Sequence, residues 1–280
     1  MRGLIGPALA VLTLLALTAC GATVGAGAGA KSAGRGDQSA RYRVQAGQAL
    51  RSSGALPAPD STPTADGASE ALHVGIVLEH GSRDDHFCTA SVVDSPHHNV
   101  LITAAHCLYA VKGKNYNSGI TFVPEYDNGE KPYGEWSAAR LFVDKRWMSD
   151  SDPDLDVGFI VLRPRDGKNI QDVLGGYRLG IDAGFTNLVR VTGYPSGSGR
   201  PVTCENWTSQ QARYQLRFTC AGFFGGTSGS PWVTDFDPLT DSGTVVGVIG
   251  GYQEGGATDS VSYSVYLEHD TEKLYQDAAR

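Results

Sequence analysis

Asn99-Val100-Leu101-Ile102-Thr103 runs directly into Ala104-Ala105-His106-Cys107. The first five residues are rich in β-branched and other apolar side chains, so they read as a strand. That strand delivers a histidine and a cysteine to its end. Outward from it the same texture repeats. His73-Val74-Gly75-Ile76-Val77-Leu78, Gly119-Ile120-Thr121-Phe122-Val123 and Val157-Gly158-Phe159-Ile160-Val161-Leu162 read as further strands, separated by Gly, Pro, Asp, Asn and Ser turns.

A second set follows: Leu188-Val189-Arg190-Val191-Thr192-Gly193, Tyr214-Gln215-Leu216-Arg217-Phe218-Thr219, Thr244-Val245-Val246-Gly247-Val248-Ile249 and Ser262-Tyr263-Ser264-Val265-Tyr266-Leu267. Many short strands at such spacing predict an all-β chain of antiparallel sandwiches or barrels, in two halves. Only the end reads as helical, with Asp270 as the cap of a segment through Glu272, Lys273, Leu274 and Tyr275.

Upstream the composition changes. Arg2 precedes an apolar run from Leu4 to Ala19 that holds Pro7 and is short for a bilayer span, so residues 1–19 read as an export signal. Leu17-Thr18-Ala19-Cys20 is similar to a bacterial lipobox, which would make Cys20 a lipidated N-terminus and tether the protein to a membrane. Ala26-Gly27-Ala28 and Ala28-Gly29-Ala30 fit an ordinary signal peptidase instead. Residues 20–70 are dominated by Gly, Ala, Ser and Pro and lack the apolar side chains needed to offset ordering entropy. They are expected to be a disordered linker or a propeptide, with the folded domain occupying 71–280. The expected location is extracellular, secreted or lipid-anchored at the outer face of a bacterial membrane.

The net charge of −7 is mixed in sign, and no Lys/Arg-rich run is present to track phosphates. Nucleic acid is therefore not an expected partner, and a monomer is expected. Without Cys20 the chain keeps Cys88, Cys107, Cys204 and Cys220, an even number in an exported protein. Two disulfides are favoured over a metal, and spacing leaves three pairings open. No metal or cofactor is expected. His73, His80, His86, His97, His98 and His269 read as packing or surface residues. Asp150, Asp152 and Asp154 are similar to the start of an EF-hand loop, but Leu155 stands where glycine is required and Val161 where a glutamate belongs.

Two more stretches carry chemistry. One is Asp154-Leu155-Asp156-Val157-Gly158-Phe159-Ile160-Val161-Leu162; the other is Gly225-Gly226-Thr227-Ser228-Gly229-Ser230-Pro231-Trp232. A serine hydroxyl attacks a carbonyl at neutral pH only if a base takes its proton, and histidine titrates in the right range. A carboxylate on the other ring nitrogen would fix the tautomer and stabilise the imidazolium. Glycines beside the serine permit a tight turn that aims backbone N–H groups at one point, where an oxyanion would form. Asp154 competes with Asp156, but the apolar strand starts immediately after Asp156.

With these motifs in the order His, Asp, Ser, the sequence resembles the chymotrypsin-like serine peptidases, particularly their secreted bacterial branch. The resemblance implies two packed antiparallel six-stranded β-barrels with a short C-terminal helix. It implies a serine endopeptidase that cleaves protein or peptide substrates through an acyl-enzyme, with His106, Asp156 and Ser228 as the triad and Gly226 and Ser228 as oxyanion donors. It also implies the pairings Cys88–Cys107 and Cys204–Cys220, and substrate contacts at Gly222, Gly250, Gly251 and Tyr252. Gly222, six residues before Ser228, removes the aspartate that selects Lys or Arg, and Ile249 stands where glutamate-specific relatives carry histidine. Thr227 replaces the aspartate that pairs with a processed N-terminus, so activity is not expected to need that insertion. The competing reading is a catalytically silent homologue that serves as a cell-surface binding module. A GxSxG esterase is disfavoured, because Ser230 replaces the last glycine and the histidine precedes the serine.

Overall fold

The structure, a computed structural model, describes residues 62–68, 72–79 and 85–280. The signal, Cys20 and most of the linker lie outside the described residues. A two-residue strand, β1 (Asp66–Gly67), comes first. Then follow β2 (Val74–Leu78), β3 (Cys88–Val93), β4 (Val100–Thr103), the small hairpin of β5 (Tyr109–Ala110) and β6 (Asn115–Tyr116), β7 (Thr121–Pro124), β8 (Trp136–Val143) and β9 (Gly158–Leu162). Six of these close into a barrel in the order β2-β3-β4-β9-β8-β7, antiparallel at every step.

The continuous apolar runs of β2, β4 and β9 follow from burial on both faces. Successive side chains alternate sides. Val77, Leu101, Ile160 and Leu162 fill the barrel interior around Phe122 and Trp136. Their neighbours Ile76, Val100, Ile102, Phe159 and Val161 point outward into a second core shared with Tyr194, Val233, Val248 and Val265 of the other half. Full burial of each such side chain is worth about 1.5–3 kcal/mol, and here it also fixes how the halves meet.

The second half contains β10 (Arg178–Leu179), β11 (Leu188–Gly193), β12 (Val202–Ala212), β13 (Gln215–Thr219), β14 (Pro231–Asp237), β15 (Ser242–Val248) and β16 (Val261–Val265). They form an eight-stranded sheet in the order β10-β15-β14-β11-β12-β13-β16, with β1 added on β12 and β10 parallel to β15. The sheet curls around Phe218 and Trp232, and the Gly250 N–H donates to the Tyr263 carbonyl at 2.9 Å where its ends approach. The fold is all-β in two packed halves, as the resemblance implies.

Among the described residues three short helices complete it: α1 (Lys145–Asp150), α2 (Ile170–Leu174) and α3 (His269–Ala278). The C-terminal helix starts before Asp270, so this residue lies in the first turn and is not the cap. Its carboxylate instead accepts from Arg146 at 2.8 Å, tying α3 to α1. Leu274, Tyr275 and Ala278 of α3 pack on the core between the halves. Residues 63–67, expected in the linker, are hydrogen-bonded to the domain. The Ala65 N–H donates to the Ala221 carbonyl at 2.7 Å, the Ala221 N–H donates to the Pro63 carbonyl at 2.8 Å, and β1 pairs with Val202 and Thr203. Backbone pairing needs no apolar side chains, so composition did not reveal this strand.

Candidate active site

Strand β4 ends at Thr103, and a 3-10 turn over Ala105–Cys107 follows, with His106 at its centre. A disulfide from Cys107 to Cys88 at the start of β3 anchors the turn. The Cys204–Cys220 disulfide is also formed, in the second half. Asp156 comes from a separate 3-10 turn, Pro153–Leu155, immediately before β9. The β4–β9 pairing sets these two turns side by side.

Asp156 is fully buried. Its Oδ1 accepts the His106 backbone N–H at 2.9 Å, and its Oδ2 faces His106 Nδ1 at 2.8 Å. The Gly251 N–H donates to the same Oδ2 at 2.8 Å. A buried carboxylate that accepts three hydrogen bonds is held firmly in place. The His106 side chain keeps 18% of its surface exposed. Burial pulls its pKa down, but the charge and hydrogen bond of Asp156, with a further contribution from the charge of Glu254, outweigh this and hold the imidazole above its ordinary value.

Ser228 lies in the loop between β13 and β14. Thr227 folds this loop by donating its N–H at 3.2 Å and its hydroxyl at 2.7 Å to the Phe224 carbonyl, and Ser230 closes back onto Thr227. Gly226 has φ +91° and Gly229 φ +85°. A β-carbon on Gly229 would lie 2.2 Å from the Thr89 carbonyl oxygen, and one on Gly226 would lie 2.5 Å from the Ser196 nitrogen. Both positions therefore need glycine for conformation and for space.

The first barrel grips this loop from β3. Thr89 donates its N–H to the Ser228 carbonyl, and its hydroxyl donates to the Gly226 carbonyl at 3.1 Å. The Cys107 sulfur lies 3.8 Å from the same Ser228 oxygen, which brings the serine's backbone against the histidine's turn. Among the described residues, the N–H groups of Gly226 and Ser228 have no hydrogen-bond acceptor.

Ser228 lines a cavity of about 360 Å³ with Phe223, Phe224, Thr227, Ile249, Gln253, Glu254, Asp259 and Ser262 among its walls. The four residues expected to contact substrate are not among the walls of this cavity. Gly222 packs against Ala65 and donates its N–H to the Asp259 carbonyl at 2.9 Å. Gly250 bonds to Tyr263, and Gly251 to Asp156. Tyr252 donates its N–H to Gln215 Oε1 at 3.0 Å and packs its ring edge-on against Tyr263, and none of the four lines the Ser228 cavity. The chain bends with positive φ at Gly251, Gln253 and Glu254, and the last two line the wall.

Sequence reasoning missed Thr89, Gln215 and Glu254, whose roles depend on contacts between segments far apart in the chain. Among the histidines expected to be packing or surface residues, His73 and His86 are buried and bonded to the Leu174 and Tyr194 carbonyls, and His98 pairs with Asp172 at the surface. Asp152 and Asp154 bond to local backbone and to Gln215. Asn206, which heads an Asn-Trp-Thr sequon, is buried and donates its side-chain amide to the Thr219 carbonyl at 2.7 Å. Among the described residues the one group with metal-ligand spacing is Cys88, His106 and Cys107, and its two sulfurs are joined to each other, which leaves no thiolate to bind an ion. No described helix is long and apolar enough to cross a membrane.

Three comparisons bear on this arrangement. The family described as Trypsin matches residues 62–272. Among solved structures, the protease Anisep from Arthrobacter nicotinovorans is 25% identical with a TM-score of 0.67, covering 77% of this chain and 99% of its own. A thermostable serine protease, AL20, from an extremophilic microorganism is 24% identical with a TM-score of 0.65, over 74% and 97%. A Glu endopeptidase shares the fold at 15% identity and a TM-score of 0.64, over 79% and 99%. A curated relative from Bacillus subtilis, named an extracellular metalloprotease, is 26% identical over 167 residues, 59% of this chain and 51% of that protein. The chain thus spans about half the length of that relative.

Proposed function

The chain belongs to the trypsin family, and from that membership we propose that it is an exported serine endopeptidase in which Ser228 is the nucleophile, His106 the general base and Asp156 the residue that orients the histidine. The observation that carries this reading is the grip on His106: one buried carboxylate takes both its backbone N–H and its ring Nδ1. A histidine held in this way presents Nε2, in the neutral tautomer, as the proton acceptor.

In the reaction, the Ser228 hydroxyl adds to a peptide carbonyl as His106 takes its proton. The charge that develops on the carbonyl oxygen falls to the unoccupied N–H groups of Gly226 and Ser228. His106 then protonates the leaving amine, and a water deprotonated by the same imidazole releases the acyl group. The side chain on the acyl side of the bond would enter the cavity between Phe223 and Glu254.

The named relatives are proteases, and the Bacillus protein is named extracellular, which supports action outside the cell. We place the mature protein there, either lipid-anchored through Cys20 or released. Mass spectrometry of the mature N-terminus distinguishes the two. The activity itself is tested by treating the purified protein with a fluorophosphonate probe beside Ser228→Ala. Labelling of wild type that disappears in the variant is expected. A folded wild type that takes no label would instead be a silent binding module.

A further inference from the structure

Gln215 opens β13 and is buried to within 3% of its surface, yet it carries a polar amide that no step above uses. Its Nε2 donates to the Pro153 carbonyl at 2.8 Å and to Asp154 Oδ1 at 2.7 Å. Its Oε1 accepts the Tyr252 N–H at 3.0 Å. Two acceptors on one side and an N–H on the other fix which way the amide faces.

The partners belong to two separate segments, and both end at the same carboxylate. Pro153 and Asp154 form the 3-10 turn that leads into Asp156. Tyr252 follows Gly251, whose N–H donates to Asp156 Oδ2. A β-carbon on Gly251 would sit 2.4 Å from Gln215 Oε1, so the amide also sets how closely that bend approaches. We propose that Gln215 is a positioning residue for catalysis, a buried bracket that sets the spacing between the turn carrying Asp156 and the Gly251 N–H that holds its carboxylate.

The physical basis is that buried polar networks are rigid when fully satisfied, and that sub-ångström placement of a catalytic chain changes rate more than stability. Without the bracket, Gly251 is free to withdraw from Asp156, and the carboxylate then turns relative to His106 Nδ1. The proposal rests on the triad assignment above.

The test compares wild type with Gln215→Met, which keeps the volume and removes all three bonds, and with Asp154→Ala, which removes one arm at a partly exposed position. Both variants are expected to lower kcat, roughly ten- to hundredfold for Gln215→Met and about threefold for Asp154→Ala, with KM within about threefold of wild type. The downfield NMR signal of the proton between His106 Nδ1 and Asp156 is expected to shift or broaden in both, which loss of stability alone would not produce. If Gln215→Met fails to fold, Asp154→Ala decides alone. Folded variants with wild-type kcat and an unmoved proton signal would overturn the bracket while leaving the triad intact. Cleavage that survives in Ser228→Ala would instead overturn the triad assignment.

Discussion

The Thr89 N–H donates to the Ser228 carbonyl at 2.7 Å, so a strand of the first barrel holds the loop that carries the proposed nucleophile in the second half. The Thr89 hydroxyl adds two bonds, donating to Gly226 and accepting the Tyr194 N–H at 3.0 Å. Thr89→Val keeps the shape and strands both partners in a buried site. A loss of about 1–3 kcal/mol in stability is expected, together with slower fluorophosphonate labelling. Denaturant unfolding and labelling kinetics read the two effects separately.

Asp156→Asn keeps the size of the side chain and removes its charge. The amide can present an N–H to His106 Nδ1 and so favours the wrong tautomer, with the proton on Nε2. A fall of about 10⁴-fold in kcat with KM little changed is expected on peptide substrates.

The acid limb of the kcat/KM profile follows His106, which must be neutral to accept the serine proton. Its pKa is raised, so activity is lost as pH falls through a value above the ordinary 6.5. Glu254 contributes to that rise through its charge. Glu254→Gln is expected to move the limb to lower pH, and a limb that does not move would mean that this charge is screened from the imidazole by solvent.

Gly226→Ala tests the oxyanion donors. The added methyl meets Ser196, and φ +91° is unfavourable for alanine, so the peptide that carries the Gly226 N–H must rotate. Loss of one donor lowers kcat by about 10²–10³-fold, measured against a stability loss followed by thermal unfolding.

The disulfides should separate by function. Replacing Cys88 and Cys107 with serine is expected to cost about 3 kcal/mol by loop entropy and to lower kcat, since the pair anchors the histidine's turn. Replacing Cys204 and Cys220 should cost a similar amount with a smaller change in kcat.

Much of this architecture was legible because its signals are local. Runs such as Leu188–Gly193 and Gln215–Thr219 announce themselves by composition, and the histidine, aspartate and serine each sit in a short distinctive stretch. Strands with polar or interrupted sequences were harder. Val202–Ala212 and Pro231–Asp237 mix charged and amide side chains with apolar ones, and it is pairing with the strands beside them that makes them strands. The site was legible to the same depth. His106 and Asp156 each sit in a short stretch that a reader can pick out, whereas the cavity wall includes Gln253 and Glu254 beyond the bend at Gly251, and the support of Asp156 involves a glutamine whose three partners lie in other segments. Nothing in Tyr214-Gln215-Leu216 distinguishes a bracket from an ordinary polar strand residue.

The cystine next to His106 carries a biological corollary. In a reducing cytosol Cys88 and Cys107 remain thiols, and the turn bearing His106 loses its covalent anchor. A newly made chain is then at its least competent while it is still surrounded by the proteins of its own cell. On the proposed route of export, oxidation after translocation completes the site, so the passage that delivers the protein also arms it.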